Sequence, residues 1–216
     1  AAARNTGIKA AKGEYIVCLD DDNELLPEFL ERTLAMIGTY DAVAVGRVIQ
    51  YKDFARYVVP QIGRLSSIDW GWLIKKSVFD KIQYDEDMRA NEDTDFGIQF
   101  FKKFRAVQLD EPLTIAYDTE NSLSFPNARE LEGMEYFLEK NLHEYTEPNE
   151  RRHLYRTMGR KYYRGGFRLK GLQYFWKSFI AYKTLHSFAH LFFILFGWKI
   201  YDVFMTFEEK LAAKRR

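Results

Sequence analysis

The chain of 216 residues has an ordinary globular composition, with 47% hydrophobic and 29% charged residues and an aromatic share of 17%. Its single cysteine, Cys18, excludes an internal disulfide framework and a zinc site built from cysteines, and we expect it to be a small core residue. The net charge of +1 hides two opposite parts, since residues 1–150 hold 17 basic and 28 acidic residues and residues 151–216 hold 15 and 3. This asymmetry predicts two parts with different partners.

Helices and strands alternate in the predicted order of the first part. Apolar spacing predicts a helix over 2–12, a strand over 15–19, a helix over 27–39, strands over 42–51 and 70–75, a short helix near 77–81, a helix over 91–104 and a strand over 107–116. Pro112 cannot donate a ladder hydrogen bond, so we expect the last strand at a sheet edge. The alternation predicts an α/β domain over residues 1–127, and a helical pattern predicts a helical extension over 128–216.

Three adjacent aspartates, Asp20, Asp21 and Asp22, follow the first strand, where α/β sheets bind ligands. In an extended loop Asp20 and Asp22 point to one side, and a pair of hard carboxylate oxygens suits Mn²⁺ or Mg²⁺. Three other interpretations remain open from these residues alone. An EF-hand-like calcium loop would have Leu25 in place of its glycine and Pro27 inside the loop. A phosphatase-type aspartate nucleophile and a solvated turn with an acidic helix cap are the other two.

Two stretches of the chain resemble one family. "ARNTGIKAAKGEYIVCLDDDNELLPEFLE" resembles the central part of the inverting family 2 glycosyltransferases of the GT-A fold, which has an Arg-Asn pair, a Gly-Glu-Tyr sequence, a strand and an Asp-x-Asp motif. "WLIKKSVFDKIQYDEDMRANEDTDFGIQFFKKF" resembles their acceptor-side block, which ends in a Glu-Asp motif. The resemblance covers residues 2–125 and implies a Rossmann-like mixed sheet between helices. It also implies that the sequence is incomplete at its N-terminus, because the family begins with a strand and loops that hold the nucleobase.

The resemblance implies metal-dependent transfer of a sugar, with inversion, from a nucleotide-sugar to a glycan or a lipid-linked acceptor. The expected donor is a UDP-sugar. Asp20 and Asp22 would hold Mn²⁺ or Mg²⁺, with Asp21 in the same cofactor-binding motif. Asp93 would be the general base, with Glu92 beside it in the catalytic motif, although simple helix capping is the alternative for both. Arg4 and Asn5 match the motif near the nucleotide, with a helix-surface role as the alternative.

Further site residues are implied on the acceptor side and at the metal. Trp70 and Trp72 fall where the family shapes its acceptor site, and the alternative for either is a core position. Asp95 is expected to cap or pack. Many members carry a further His ligand after the strand that follows the Glu-Asp helix, and "AYDTENSLS" has none. Asp118 and Glu120 are the candidates to replace it, and the third metal ligand stays open.

The basic part of the chain predicts attachment to a membrane surface. Residues 151–183 hold ten Lys or Arg among many aromatics, and the following apolar run over 187–198 is too short to span a bilayer. We expect an interfacial helix on anionic lipids at the cytoplasmic, inner face of the cell membrane. Helical packing on the catalytic domain is an alternative, and we expect no nucleic-acid partner because no such motif occurs. His186 and His190 have the spacing of a metal pair without an acidic partner, so we expect them on an apolar or interfacial face.

The sequence therefore predicts a glycosyltransferase that works at a membrane. A non-catalytic, membrane-associated scaffold of the same fold is the second hypothesis. A metal-dependent enzyme that transfers a phosphoryl group from a sugar nucleotide, using the same aspartates, is the third.

Overall fold

The chain divides into two compact units, residues 1–122 and 123–216. The computed structural model describes residues 1–51, 54–60, 62–68, 71–117 and 128–213, with side chains described as far as residue 205. The first unit carries a sheet with helices, and the described part of the second unit is helical.

The first unit contains three α-helices and six strands among its described residues. In chain order they are α1 (Ala2–Ala10), β1 (Tyr15–Ile16), β2 (Asn23–Leu25), α2 (Phe29–Ile37), β3 (Ala42–Gln50), β4 (Ala55–Val58), β5 (Leu73–Lys75), α3 (Glu92–Phe101) and β6 (Ala106–Tyr117), with a 3-10 turn over Lys76–Val78. The predicted helices and the long strand over 42–51 are confirmed to within a few residues. The short strands β2 and β4 were not predicted. β2 exists because Asn23 to Leu25 pair with β6, and this tertiary pairing leaves no apolar pattern in the sequence.

The strands form one mixed sheet in the order β1-β5-β3-β6-β2, with β4 paired to β3. β3 and β6 run parallel, and the other neighbouring pairs are antiparallel. The mixed sheet between helices that the sequence predicts is thereby confirmed.

The prediction that Pro112 places its strand at a sheet edge is wrong, because β6 lies between β3 and β2. The register between β3 and β6 shifts on both sides of Gly46, which lies opposite Pro112. At such a bulge the ladder is already interrupted, so the missing N–H of proline costs little. A side chain on Gly46 would lie 2.7 Å from the Glu111 carbonyl oxygen, so the bulge also requires glycine there.

The two faces of β3 build two separate parts of the core. Ala42 and Ala44 point to the side covered by α1 and α3, and Val43 and Val45 point to the side covered by α2. The alternation follows from the two-residue period of a strand. Small alanines on the first side leave room for a cluster of rings, namely Trp72, Phe79, Tyr84, Phe96 and Phe100. This ring cluster supports the end of the sheet that carries the predicted motifs.

The second unit confirms the helical pattern predicted from residue 128 onward. Its helices are α4 (Ala128–Asn141), α5 (Pro148–Arg164), α6 (Arg168–Ala181), α7 (Leu185–Leu195) and α8 (Trp198–Ala213), with a 3-10 turn over Leu142–Glu144. α5 and α6 pack closely because Gly159 and Gly171 face each other, and a side chain on Gly171 would lie 2.9 Å from the backbone nitrogen of Tyr163. Among the described residues, no helix has both the length and the apolarity that crossing a membrane requires.

His190 of α7 is buried in a polar cluster, so the expectation of an apolar or interfacial face is only half right. Its ring packs against the rings of Tyr201 and Phe204, as an apolar position would. Its Nε2, however, lies 2.7 Å from Arg156 Nη1, and its Nδ1 lies 2.9 Å from the Tyr201 hydroxyl. A guanidinium can only donate, so Nε2 must accept and the proton of the neutral ring is on Nδ1.

Candidate active site

Arg4 on α1 joins the two sequence motifs. Its Nη2 donates to Asp20 Oδ1 at 3.0 Å, and its Nη1 donates to Glu92 Oε1 at 2.8 Å. The two carboxylates come from segments 72 positions apart, the aspartate run after β1 and the first turn of α3. One guanidinium therefore brings the Asp-x-Asp segment and the Glu-Asp segment to the same place.

Arg4 is fixed on a third side by an aromatic ring. Its guanidinium carbon lies 5.5 Å from the centroid of Tyr84, and the Tyr84 ring stacks on Phe96 of α3 at 4.4 Å. Burial lowers the pKa of Arg4, but the hydrogen bond to Asp20 and the nearby acidic groups raise it further, so its pKa lies above the ordinary value. Arg4 thus remains a cation between two carboxylates. Burial also raises the pKa of Tyr84, which stays a neutral phenol.

The start of α3 is fixed by the segment over 66–68. Ile68 N–H donates to the Asp93 carbonyl at 3.1 Å, and the hydroxyls of Ser67 and Thr94 lie 2.7 Å apart. A side chain on Gly97 would lie only 1.9 Å from the Ser66 carbonyl oxygen. The close approach of these two backbones therefore depends on glycine and sets the position of the helix that carries Glu92 and Asp93.

Three carboxylates, those of Glu92, Asp93 and Asp95, lie in the first turn of α3, where the helix dipole favours negative charge. The preceding residue, Asn91, has φ of 59°, the one positive φ of a non-glycine residue in the described part of the chain. Asp93 Oδ1 accepts the Thr94 N–H at 2.8 Å, which restricts the rotation of its carboxylate. Asp95 is fully buried and accepts from Gln99 at 2.8 Å, in agreement with the packing role that the sequence predicts.

The aspartate run forms a turn between β1 and β2. Asp20 is half-buried against Arg4, whereas Asp21 and Asp22 are exposed. The Asp22 carbonyl accepts from Tyr117 N–H at 3.1 Å, so the turn is tied to the end of β6. Tyr117 also donates from its hydroxyl to Glu24 at 2.8 Å, which engages that carboxylate in the sheet.

The donor atoms of this turn fit a hard divalent cation. Asp20 and Asp22 supply carboxylate oxygens, and such cations complete their coordination with water and substrate phosphates. Within the described ranges, no cluster of three or more His, Cys, Asp or Glu side chains is arranged to hold a metal ion. The candidate third ligands Asp118 and Glu120 lie outside the described residues.

The remaining predicted residues take different positions. Asn5 is buried and donates to the Tyr84 carbonyl at 2.8 Å and to Glu86 at 2.9 Å, so it anchors the loop beneath Arg4 instead of lying on the helix surface. Trp72 is 2% exposed and packs edge-on against Phe101, which favours the core alternative for this residue. Trp70 lies outside the described residues. Cys18 is half-buried against the same core, and burial raises the pKa of its thiol.

The sequence interpretation missed the residues that hold the site together. It assigned Arg4 to the nucleotide and gave Tyr84 no role. One usable signal was Gly97, since a glycine inside a helical pattern indicates a close backbone approach. The pairing of Arg4 with Glu92 left no signal, because the two residues are 88 positions apart.

Family models, curated proteins and solved structures each include a match to this chain. The family model for glycosyl transferase family 2 matches residues 1–105. The uncharacterized glycosyltransferase EpsJ of Bacillus subtilis (strain 168) is 31% identical over 148 residues, which are 57% of this chain and 43% of EpsJ. The crystal structure of S. aureus TarS 1-349 superposes with a TM-score of 0.51 at 17% identity, over 84% of this chain and 60% of that one. The same TarS fragment in complex with UDP-GlcNAc gives 0.51 at 18% identity, over 82% and 60%.

The mixed sheet and the structural match define the first unit as a nucleotide-sugar transferase fold of the GT-A type. The part of the chain that the glycosyl transferase family 2 model matches contains Arg4, Asp20 and Glu92. At its low identity, the likeness to TarS shows the fold alone. The chain spans less than half of EpsJ and 60% of the TarS fragment.

Proposed function

We propose that the protein is an inverting glycosyltransferase that moves a sugar from a nucleotide-sugar to a hydroxyl group of a glycan or a lipid-linked acceptor. The observation that carries the proposal is the Arg4 bridge, which holds the donor-side motif at Asp20 and the acceptor-side motif at Glu92 together. The family match over residues 1–105 supports the reaction class. The UDP-GlcNAc complex of TarS supports a UDP-sugar as the class of donor.

On the donor side, Asp20 and Asp22 would hold Mn²⁺ or Mg²⁺, and the ion would supply positive charge to the leaving nucleoside diphosphate. Asp20 is oriented by Arg4, and Asp22 is exposed at the turn, where a diphosphate can approach it. The permanent charge of Arg4 prevents Asp20 and Glu92 from repelling each other before the donor binds.

On the acceptor side, Asp93 is the general base. The acceptor oxygen attacks the anomeric carbon as the bond from that carbon to the phosphate oxygen breaks, and the hydroxyl proton passes to Asp93. Attack from the face opposite the leaving group inverts the anomeric configuration. Glu92 is a positioning residue in this scheme, because its ion pair with Arg4 fixes the turn that carries Asp93.

The experiment that tests this proposal separates transfer from hydrolysis. The full natural chain is incubated with UDP-sugars, candidate acceptors and Mn²⁺ or Mg²⁺, and the products are identified by NMR. We expect UDP and a glycoside of inverted configuration, with activity lost on chelation of the metal and in Asp22→Asn. Asp80→Asn, which changes an exposed carboxylate elsewhere in the unit, is the matched control.

Two results would replace the proposal. A sugar phosphate as product would mean cleavage at the pyrophosphate, and the phosphoryl-transfer hypothesis would take its place. If the full chain binds neither a metal ion nor a nucleotide-sugar, the result favours the non-catalytic scaffold.

A further inference from the structure

The second unit exposes an unusual amount of apolar surface along one helix. On α7 and the residue that ends it, five large apolar side chains are exposed by between 43% and 84%, namely Leu185, Phe188, Phe192, Leu195 and Phe196. Their spacing of three, four, three and one residues places them along one side of the helix. The buried residues of α7 are Ser187, His190 and Ile194, and Leu191 and Phe193 pack against the core of the unit. The helix is therefore apolar on its exposed side as well as on part of its buried side, which is unlike a soluble amphipathic helix.

The apolar surface continues from α7 onto α6 without a break. Consecutive ring centroids lie 5.8 Å apart from Trp176 to Phe179, 6.1 Å from Phe179 to Phe188, 6.1 Å from Phe188 to Phe192 and 5.0 Å from Phe192 to Phe196. We call this surface the α6–α7 face and define it by its exposed members, Trp176, Ile180, Leu185, Phe188, Phe192 and Phe196. Contiguous exposed apolar patches of this kind mark interaction surfaces.

Cations border the α6–α7 face. A groove between α5 and α6 is lined by Arg151, Tyr155, Trp176, Lys177 and Ile180, so two of its residues also belong to the face. The Lys177 ammonium lies 4.7 Å from the centroid of Tyr174 and 6.0 Å from that of Tyr155, which holds it beside the groove. No acidic residue occurs from 151 to 201. The helices α6 and α7 that form the face therefore carry cations and no carboxylate of their own.

We propose that the α6–α7 face docks on the surface of an anionic membrane. At the membrane interface, acyl chains receive the phenylalanines while lipid phosphates lie beside the bordering lysines, and indole rings are favoured at that depth. A second copy of the chain is a poorer occupant, because two faces bordered by the same charge repel each other. A nucleic acid is also poorer, because the centre of the face offers it no charge. The proposal does not depend on transferase activity, since docking requires no turnover.

The test measures co-flotation of the full chain with vesicles. We expect binding to vesicles of mixed phosphatidylcholine and phosphatidylglycerol, and much weaker binding to phosphatidylcholine alone. Phe188→Ser combined with Phe192→Ser should reduce binding to the mixed vesicles more than tenfold, because acyl-chain burial is lost. Lys177→Gln combined with Lys183→Gln, an exposed lysine in the connection from α6 to α7, should reduce it about 25-fold, at about fivefold for each cation near an anionic surface. Leu30→Ser, which removes an exposed leucine from α2 of the first unit, is the matched control and should bind like the wild type.

Folding and self-association are checked on the same samples. All substituted side chains are exposed, so thermal melts of the variants should match the wild type, and a blue shift of tryptophan emission on the mixed vesicles gives a second signal that needs no variant. Absence of vesicle binding by the wild type at low salt would overturn the proposal. Equal binding by the Phe188/Phe192 variant and the wild type would also overturn it. A dimer seen by light scattering that the same variant abolishes, without vesicle binding, would assign the face to a second copy instead.

Discussion

Stability of the second unit should fall in mild acid because of His190. The ring is buried, accepts from Arg156 and donates to Tyr201, and the charged groups around it are Arg152, Arg156 and Arg160, with His186 beside it. Burial lowers the pKa of His190, and the arginines lower it further, to about 2. The folded unit therefore does not take up this proton anywhere in the ordinary pH range.

The size of the effect follows from the difference between the folded and unfolded pKa. In the unfolded chain His190 titrates at its ordinary value of 6.5, so below that pH unfolding takes up a proton. Stability is then lost at about 1.4 kcal/mol for each pH unit below 6.5. Between about pH 7.5 and about pH 4.5 the loss from this one group amounts to about 2.7 kcal/mol. That is a large fraction of the stability of a small domain.

The assay is urea denaturation across this pH range, followed by tryptophan fluorescence. Trp198 reports on the second unit, since its ring lies 5.5 Å from that of Tyr201. The comparison variant is His190→Gln, which keeps an amide for hydrogen bonding but does not titrate. We expect it to be less stable than the wild type at neutral pH by about 1 to 2 kcal/mol, because the Arg156 contact is imperfectly replaced.

The quantity to compare is the difference in unfolding free energy between wild type and variant. Acidic groups elsewhere titrate equally in both proteins, so this difference isolates the contribution of His190. We expect this difference to shrink and then change sign as the pH falls to about 4.5. A constant difference at all pH values would mean that His190 binds a proton in the folded state, and the reasoning from Arg156 would fail.

Two further predictions concern the first unit. Gly97→Ala should destabilise it by about 1 to 3 kcal/mol and slow transfer, because the new methyl group meets the Ser66 carbonyl and moves the start of α3. Gly7→Ala on α1, where nothing lies within 4 Å, is the control and should gain up to about 1 kcal/mol in urea denaturation. Arg4→Lys should cost about 1 to 2 kcal/mol, since one ammonium cannot replace both guanidinium bonds and the groups are partly exposed. Transfer by Arg4→Lys should be slower at saturating donor, whereas Lys9→Gln on the same helix should match the wild type; equal activity of Arg4→Lys would exclude a positioning role for Arg4.

The sequence predicted the elements whose apolar residues have a clear period. β3 was found nearly complete because its first four residues, 42–45, are apolar on both faces, and α3 because its acidic first turn precedes a helical pattern. β2 was missed because its pairing partner β6 lies far along the chain. β4 pairs with the neighbouring strand β3, and it was missed because its four residues are mostly exposed and carry no apolar period. The position of β6 was wrong because the effect of Pro112 depends on the bulge opposite Gly46, which no local pattern reveals.

The sequence offered candidate residues for the site but not their arrangement. The resemblance assigned Asp20 to the metal motif and Glu92 to the catalytic motif, whereas the guanidinium that joins them belongs to Arg4, which the resemblance assigned to the nucleotide. Asn5 and Trp72 look like surface or ligand residues in sequence, and packing puts both in the interior. Residue type indicates the chemistry available at a position, whereas burial and partners are set by the whole fold.

The measurement that tests the proposed mechanism most directly is the transfer rate of Asp93→Asn in the full natural chain, measured together with its affinity for the donor. In the proposed mechanism Asp93 takes the proton of the acceptor hydroxyl and does not hold the diphosphate. We therefore expect transfer to fall by a factor of about 100 or more while donor affinity stays within a few-fold of the wild type. Transfer at the wild-type rate in Asp93→Asn would contradict the assignment of the base. Loss of donor binding together with transfer would place Asp93 on the donor side instead.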